Sequence, residues 1–233
     1  VEAQQRLVQS ERLAAIGQTM ASLSHEVRNE LNSLQLTLLL LDKQVQETAA
    51  ESTVRRLGDI GDRLSRMFDD IRGFAGPIRL ERSVVDIADV WRKSWVSALS
   101  GHEGPAELVE ETTCSGLSLS VDSLRVEQVF RNLFENSLAV CRSPTVVRIS
   151  CSTVERDDSS YLRISVRDNG PGLPADVKGR VFEPFFTTRS SGTGLGLAIC
   201  KRIIDAHGGD LQVGKAIAGA EFLVYLPLGA PAQ

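Results

Sequence analysis

In "SLSHEVRNELNSL", residues 22–34, an imidazole and a carboxylate stand side by side as His25 and Glu26, with Arg28 and Asn29 close behind. Leu23, Val27, Leu31 and Leu34 recur at helical spacing. Heptad letters counted from Met20 as a and Leu23 as d put His25 at f, opposite the apolar seam, so that its ring faces solvent. A lone histidine on a wet helix face is ordinarily a solvated polar residue. An adjacent carboxylate changes what it can do: by holding one ring N–H it leaves the other nitrogen unprotonated, and a pKa of about 6.5 keeps much of the ring neutral at pH 7. The pair then reads as an activated nucleophile in need of an electrophile.

Three stretches further on could supply one. "RVEQVFRNLFENSLAV" (125–140) is an amphipathic helix in which Val129, Leu133 and Phe134 pack while Asn132 and Asn136, at i and i+4, share a face. Asparagine is a poor mid-helix residue, and its side-chain oxygen is a neutral Mg²⁺ ligand when phosphates bring the remaining charge. A pair of exposed amides is the plainer account. "VRDNGPGLP" (166–174) sets Asp168 at a strand end before Gly170 and Gly172. As a bare turn it is ordinary, but a carboxylate beside backbone free of side chains can accept from an exocyclic amine while a planar base lies close, which suggests an adenine pocket. "EPFFTTRSSGTGLGLAICKRIIDAHGG" (183–209) brings Thr187, Thr188, Arg189 and then Gly192, Gly194 and Gly196 at the start of a helix. A glycine-led helix N-terminus offers free N–H groups and a favourable dipole to phosphate. It is neither the dinucleotide fingerprint, whose spacing and preceding strand are lacking, nor a P-loop, whose Lys-Ser/Thr is missing.

These residues need elements to hold them. From Ile16 the apolar positions Met20, Leu23, Val27, Leu31, Leu34, Leu38, Leu41 and Val45 alternate steps of four and three, with one extra four beside the histidine. That pattern is a coiled-coil-like seam with a stutter. Uninterrupted from 2 to 48, such a helix runs on the order of 45 residues, about 68 Å. A second helix over about 52–75 follows the polar turn "ETAAES". Two antiparallel helices bury only part of their apolar surface, and two hairpins complete a four-helix bundle, so a homodimer is predicted. "GFAGP" (73–77) ends the helical pattern, and the domain boundary is placed there, giving 1–76 and 77–233. Beyond it, strands are predicted near 78–85, 107–111, 117–121, 145–154, 161–168, 209–213 and 222–227, and helices near 86–99, 123–140 and 195–207. The expected fold is α+β: the helical hairpin, then an α/β sandwich with a mixed, largely antiparallel sheet.

The 233 residues carry a formal net charge of −4, 42% hydrophobic and 24% charged residues, a globular composition with room for two domains. Without a basic field, neither nucleic acid nor a membrane surface is indicated as a partner. Cys114, Cys141, Cys151 and Cys200 form no CxxC pair, which fits reduced packing thiols in a cytoplasmic protein. No apolar run reaches membrane-spanning length. The first residue is Val1, with the helical pattern already under way, so the chain is expected to be cut from a longer protein that carries any sensor or membrane anchor upstream.

Taken in order, "SHEVRNELNSL", "QVFRNLFENS", "DNGPGLP", "VFEPFFTT" and "GTGLGLAICKRIIDAHGG" resemble the H, N, first glycine, phenylalanine and second glycine boxes of a two-component sensor histidine kinase. "ERLAAIGQ" and the short spacer between "FFTTR" and "GTGLG" resemble the nitrogen-regulator subgroup with its short ATP lid. The resemblance implies a dimerisation and phosphotransfer bundle followed by a Bergerat-type ATP-binding domain. It implies that His25 is the phosphoacceptor, Glu26 its base, and Asn29 the group that orients water for dephosphorylating a response regulator. It also implies that Asn136 binds Mg²⁺, with Asn132 near the phosphates. Asp168 would bind the adenine amine and Gly170 and Gly172 would line the base. Gly192, Gly194 and Gly196, with the lid residues Thr187, Thr188 and Arg189, would meet the phosphates of ATP. The partner implied is a response-regulator receiver domain. Three positions depart from the pattern: Glu30 replaces the usual proline, Ala139 a common Lys or Arg, and Glu221 a small residue or threonine. Two other readings use part of the same residues, a nucleotide-binding dimeric scaffold and a serine kinase of the anti-sigma type; the second has no use for His25 or the long bundle.

Overall fold

The computed structural model describes residues 31–32, 34–38, 41, 54, 57–58, 60–61, 64–65, 67–68, 70–71, 74, 76, 78–100, 102–111, 117–141, 143–156, 159–189, 192–216 and 218–229. The chain divides into two compact units, Val1–Pro77 and Ile78–Gln233. In the first, the described residues from 31 to 41 and from 54 to 74 are helical. Leu31, Leu38 and Val54 are buried, and the two stretches touch at Gly61, where a Cβ would lie 3.8 Å from Gln35 Cγ. His25, Glu26 and Asn29 lie outside the described residues.

The second unit is built on two sheets. In the smaller, β1 (Ser83–Asp86) pairs antiparallel with β3 (Ser118–Val121). The larger contains β2 (Ala106–Glu110), β4 (Thr145–Arg156), β5 (Ser159–Asp168), β6 (Asp210–Val213) and β7 (Glu221–Pro227) in the order β2-β4-β5-β7-β6. Only β2 and β4 run parallel, so the sheet is mixed and largely antiparallel, as its alternating strands predict. The register stacks one face: Ile149 lies opposite Val166, Cys151 opposite Ile164, and Ile164 opposite Val224. All of these are buried. The same alternation points Asp168, the last residue of β5 and opposite Val147, to that face.

Helices α1 (Ile87–Leu99), α2 (Ser123–Val140) and α4 (Gly196–Ala206) cover the unit, with α2 packed against both α1 and α4. A one-turn helix, α3 (Ala175–Lys178), follows Pro174. Between α1 and α2 the core is aromatic: Trp91 packs edge-on to Phe130 at 6.2 Å and Trp95 to Phe134 at 5.3 Å, while Phe130 and Phe134 stack. Such pairs add about 0.5–1.5 kcal/mol each beyond burial, and they fix which face of α2 is left for the site. Asp122 caps α2 by accepting from the Arg125 N–H at 3.1 Å, and its other oxygen accepts from the Glu81 N–H at 3.0 Å. Cys141 and Cys200 are free thiols, as expected, whereas Cys151 is disulfide-bonded, which corrects the reading of all four cysteines as reduced.

Candidate nucleotide-binding site

Asp168 is buried to 7% exposure at the end of β5, under the C-terminal half of α2. The turn that follows wraps its carboxylate. Gly170 N–H donates to Oδ1 at 2.9 Å, and Ala220 N–H, from the residue just before β7, donates to the same oxygen at 2.9 Å. Oδ2 accepts from the Ser137 hydroxyl at 3.3 Å. Asn169 faces the other way and ties down the start of β4, accepting from Val146 N–H and donating to Pro144 O. Gly172, at φ +77°, packs on the Gly219 carbonyl and closes the turn. Glu221 turns away from the carboxylate and accepts from Ser165 Oγ at 2.7 Å, so this departure from the pattern leaves the Asp168 cradle intact.

Asn132 and Asn136 lie on one half-buried face of α2. The Asn132 amide donates to the Gly196 carbonyl at 3.4 Å, bringing that face against the first turn of α4. Asn136 has no hydrogen-bond partner among the described residues; its amide oxygen is a neutral hard donor of the kind Mg²⁺ accepts beside phosphates. Helix α4 begins with no side-chain cap, so its first N–H groups retain the unpaired character that favours an anion. Gly196 leaves room for Asn132, whose Cγ is 3.8 Å from where a Cβ would sit.

The loop before α4 is shaped by Gly194. At φ +69° its missing Cβ would fall 2.5 Å from the Phe185 carbonyl carbon, so any side chain there would displace the loop. Thr187 organises the preceding turn: its Oγ1 accepts from the Arg189 N–H at 3.0 Å, and Gly192 N–H donates to Arg189 O at 3.2 Å. Thr187, Thr188 and Arg189 are exposed. Thus Asp168, Gly170, Asn132 and Gly196 meet around α2, Gly172 closes the adjoining turn against Gly219, Asn136 shares the Asn132 face, and Gly192, Gly194 and the Thr187–Arg189 turn lead into α4. Sequence reasoning did not single out Ser137 or Ala220. Ser137 is visible only as the neighbour of Asn136, and the Ala220 contact is a backbone N–H that any residue but proline supplies.

Residues 121–230 match the family described as histidine kinase-, DNA gyrase B-, and HSP90-like ATPase. The chain is 30% identical over 229 residues to the signal transduction histidine-protein kinase AtoS of Escherichia coli K12, covering 97% of this chain and 37% of AtoS. It resembles full-length ShkA in complex with AMPPNP at a TM-score of 0.72 and 29% identity, over 92% of this chain and 47% of that one. The nucleotide-free catalytic domain of the histidine kinase ThkA matches at a TM-score of 0.53 and 28% identity, over 63% of this chain and 95% of that domain. The fold and site define an ATP-binding domain of the histidine kinase, gyrase B and HSP90 class. More narrowly, over nearly its whole length the chain is similar to sensor histidine kinases, and its likeness to them supports a histidine kinase catalytic core. It spans 37% of the length of AtoS.

Proposed function

We propose that this core binds Mg·ATP through its second unit and transfers the γ-phosphoryl group to Nε2 of His25, from which an aspartate of a response-regulator receiver domain takes it. The observation that carries the reading is the placement of α2. One helix presents Asn132 to the uncapped start of α4 and, five residues further along, Ser137 to Asp168, with Asn136 on the Asn132 face. A base held at Asp168, beside Gly170 and Gly172, then has its phosphates directed to the α4 end. Gly192, Gly194 and Gly196 supply backbone there, and Arg189, Thr187 and Thr188 lie in the preceding loop. Asn136 would hold Mg²⁺, which offsets phosphate charge during transfer. Phosphoryl transfer asks the protein mainly for positioning and charge stabilisation, and an exposed arginine in a loop suits the second task. Glu26 orients the His25 ring and takes its proton.

The exposed apolar residues of the first unit, Leu34, Leu41, Leu57, Ile60, Leu64 and Met67, support dimerisation through a four-helix bundle. Asn29, three residues after Glu26, would orient water in the reverse reaction, dephosphorylation of the regulator. No helix among the described residues is long and apolar enough to cross a membrane.

The deciding experiment is incubation of wild type and His25→Gln with γ-labelled Mg·ATP, followed by acid and base treatment. Acid-labile, base-stable label that disappears in the variant is expected. Acid-stable label, or label retained by His25→Gln, overturns the assignment in favour of a serine kinase or another acceptor.

A further inference from the structure

The Asp168 carboxylate receives an unequal set of donors. Oδ1 accepts the Gly170 and Ala220 N–H groups, both at 2.9 Å, and so has its in-plane positions filled by rigid backbone. Oδ2 has the Ser137 hydroxyl at 3.3 Å. That hydroxyl also lies 3.2 Å from the Leu133 carbonyl, and with one proton it donates to only one of the two. A charge-assisted bond to a carboxylate is stronger than a bond back to a carbonyl already used by the helix, so the proton goes to Oδ2. Ser137 is itself only 4% exposed, and its χ1 is set by α2, so the bond is fixed in direction.

The Cys141 thiol stands on the same side, with Sγ 2.9 Å from where a Gly170 Cβ would be. Burial, reinforced by the nearby Asp168 charge, pushes its pKa up to about 11. It stays protonated, adds no second anion, and its thiol bonds the Asp168 carboxylate, which also raises its pKa.

We propose that Ser137 is a positioning residue for base selection: by bonding one side of Asp168 Oδ2 it fixes the plane of the carboxylate so that a lone pair of that oxygen faces the exocyclic 6-amino group of the purine. The proposal rests on the adenine-site reading above. Selectivity follows from the geometry, because an amino group donates to that lone pair, while a 6-oxo group sets oxygen against oxygen and a 6-unsubstituted purine leaves the lone pair unpaired. Without the hydroxyl the carboxylate turns about its last bond within what Oδ1 allows, and the preference weakens while the phosphate contacts stay as they were.

The test measures dissociation constants of the whole chain for ATP, ITP and purine riboside triphosphate by displacement of a fluorescent nucleotide, for wild type, Ser137→Ala, Ser137→Cys and Asp168→Asn. Ser137→Ala is expected to weaken ATP about 5- to 20-fold, as loss of a hydrogen bond to a charged group does, and to change purine riboside triphosphate less than twofold. Ser137→Cys, similar in size and a weak donor, falls between wild type and alanine. A merely structural role would weaken all three nucleotides together. Equal losses, or no loss, in Ser137→Ala overturn the proposal. Asp168→Asn reports on the underlying reading: if it leaves the preference for ATP over purine riboside triphosphate intact, the adenine site itself is misplaced, whereas loss of preference there with none in Ser137→Ala refutes the serine alone.

Discussion

At the residue scale the site divides into groups that the fold holds and groups that it leaves open. Asp168 is tied by two backbone donors and a hydroxyl, and Asn132 is tied to Gly196. Asn136, on the same helix face, has no partner among the described residues. A mid-helix asparagine with no structural bond among the described residues contributes little to folding. Asn136→Ala is therefore expected to leave the melting temperature nearly unchanged, since truncations away from structural features stay within about 0.5 kcal/mol. It should cut label incorporation from γ-labelled Mg·ATP by about a hundredfold, the scale of losing one preorganised electrostatic group. A melting temperature that falls with activity would assign Asn136 to folding instead. The sequence makes Asp168 and both asparagines legible because their types are costly where they stand: a carboxylate at a strand end among glycines, and amides inside a helix. Ser137 carries no such signal, since a serine beside Asn136 looks like any small helix residue until β5 is known to end beneath it.

At the element scale, the strand alternation reads through directly. β4 and β5 place Val147, Ile149, Leu162, Ile164 and Asp168 on one face by period two alone, and α2 runs over Ser123–Val140 as its apolar spacing predicts. The stretch predicted as a strand over 78–85 contracts to Ser83–Asp86, because its partner β3 has only four residues to pair with. Helix α3, one turn long, is too short for any periodicity to announce. The join of β1, α2 and α4 was also invisible, since it is made by His207, fully buried at the end of α4. Its Nε2 accepts from the Asp122 N–H at 3.0 Å and its Nδ1–H donates to Ile203 O at 2.7 Å. Arg82 donates to its carbonyl at 3.2 Å. This arrangement requires the neutral ring. Burial lowers its pKa below the ordinary 6.5, with the Arg82 charge acting in the same direction, against the Ile203 carbonyl bond and the Asp122 carboxylate, which favour the charged form. A depressed pKa means that the unfolded chain binds the proton first. The stabilisation is whole above about pH 6.5 and is lost as pH falls from there through the folded-state value, with a slope approaching about 1.4 kcal/mol per pH unit. Urea unfolding of wild type and His207→Gln across pH 5 to 8 checks this. The wild type should lose stability below about pH 6.5, and the variant should start lower and show a flatter profile there.

At the scale of the whole molecule, the two units carry their apolar surface differently. In Ile78–Gln233 the large side chains are mostly inside, and the exposed ones, such as Val84, Val96 and Leu124, belong to different elements. Among the described residues of Val1–Pro77, Leu31, Leu38 and Val54 are buried, whereas Leu34, Leu36, Leu41, Leu57, Ile60, Leu64 and Met67 are exposed, from 38% to 66%. Leu57, Ile60, Leu64 and Met67 step by three, four and three, so they form one stripe along one helix face. An exposed stripe of that length costs solubility unless something covers it, and a second copy presenting the same stripe would close a bundle with two-fold symmetry. Sedimentation equilibrium of the full chain at micromolar concentration should give a dimer. Ile60→Glu puts a charge in the middle of the stripe on a side chain that is 50% exposed in the single chain, so it should shift the equilibrium to monomer without unfolding the second unit. Tryptophan fluorescence separates the two effects, because Trp91 and Trp95 both lie in α1 of that unit. Unchanged fluorescence with loss of the dimer locates assembly in the first unit. A monomeric wild type would instead require that the stripe be covered by a different chain, and a dimer that survives Ile60→Glu would move the interface off this helix face.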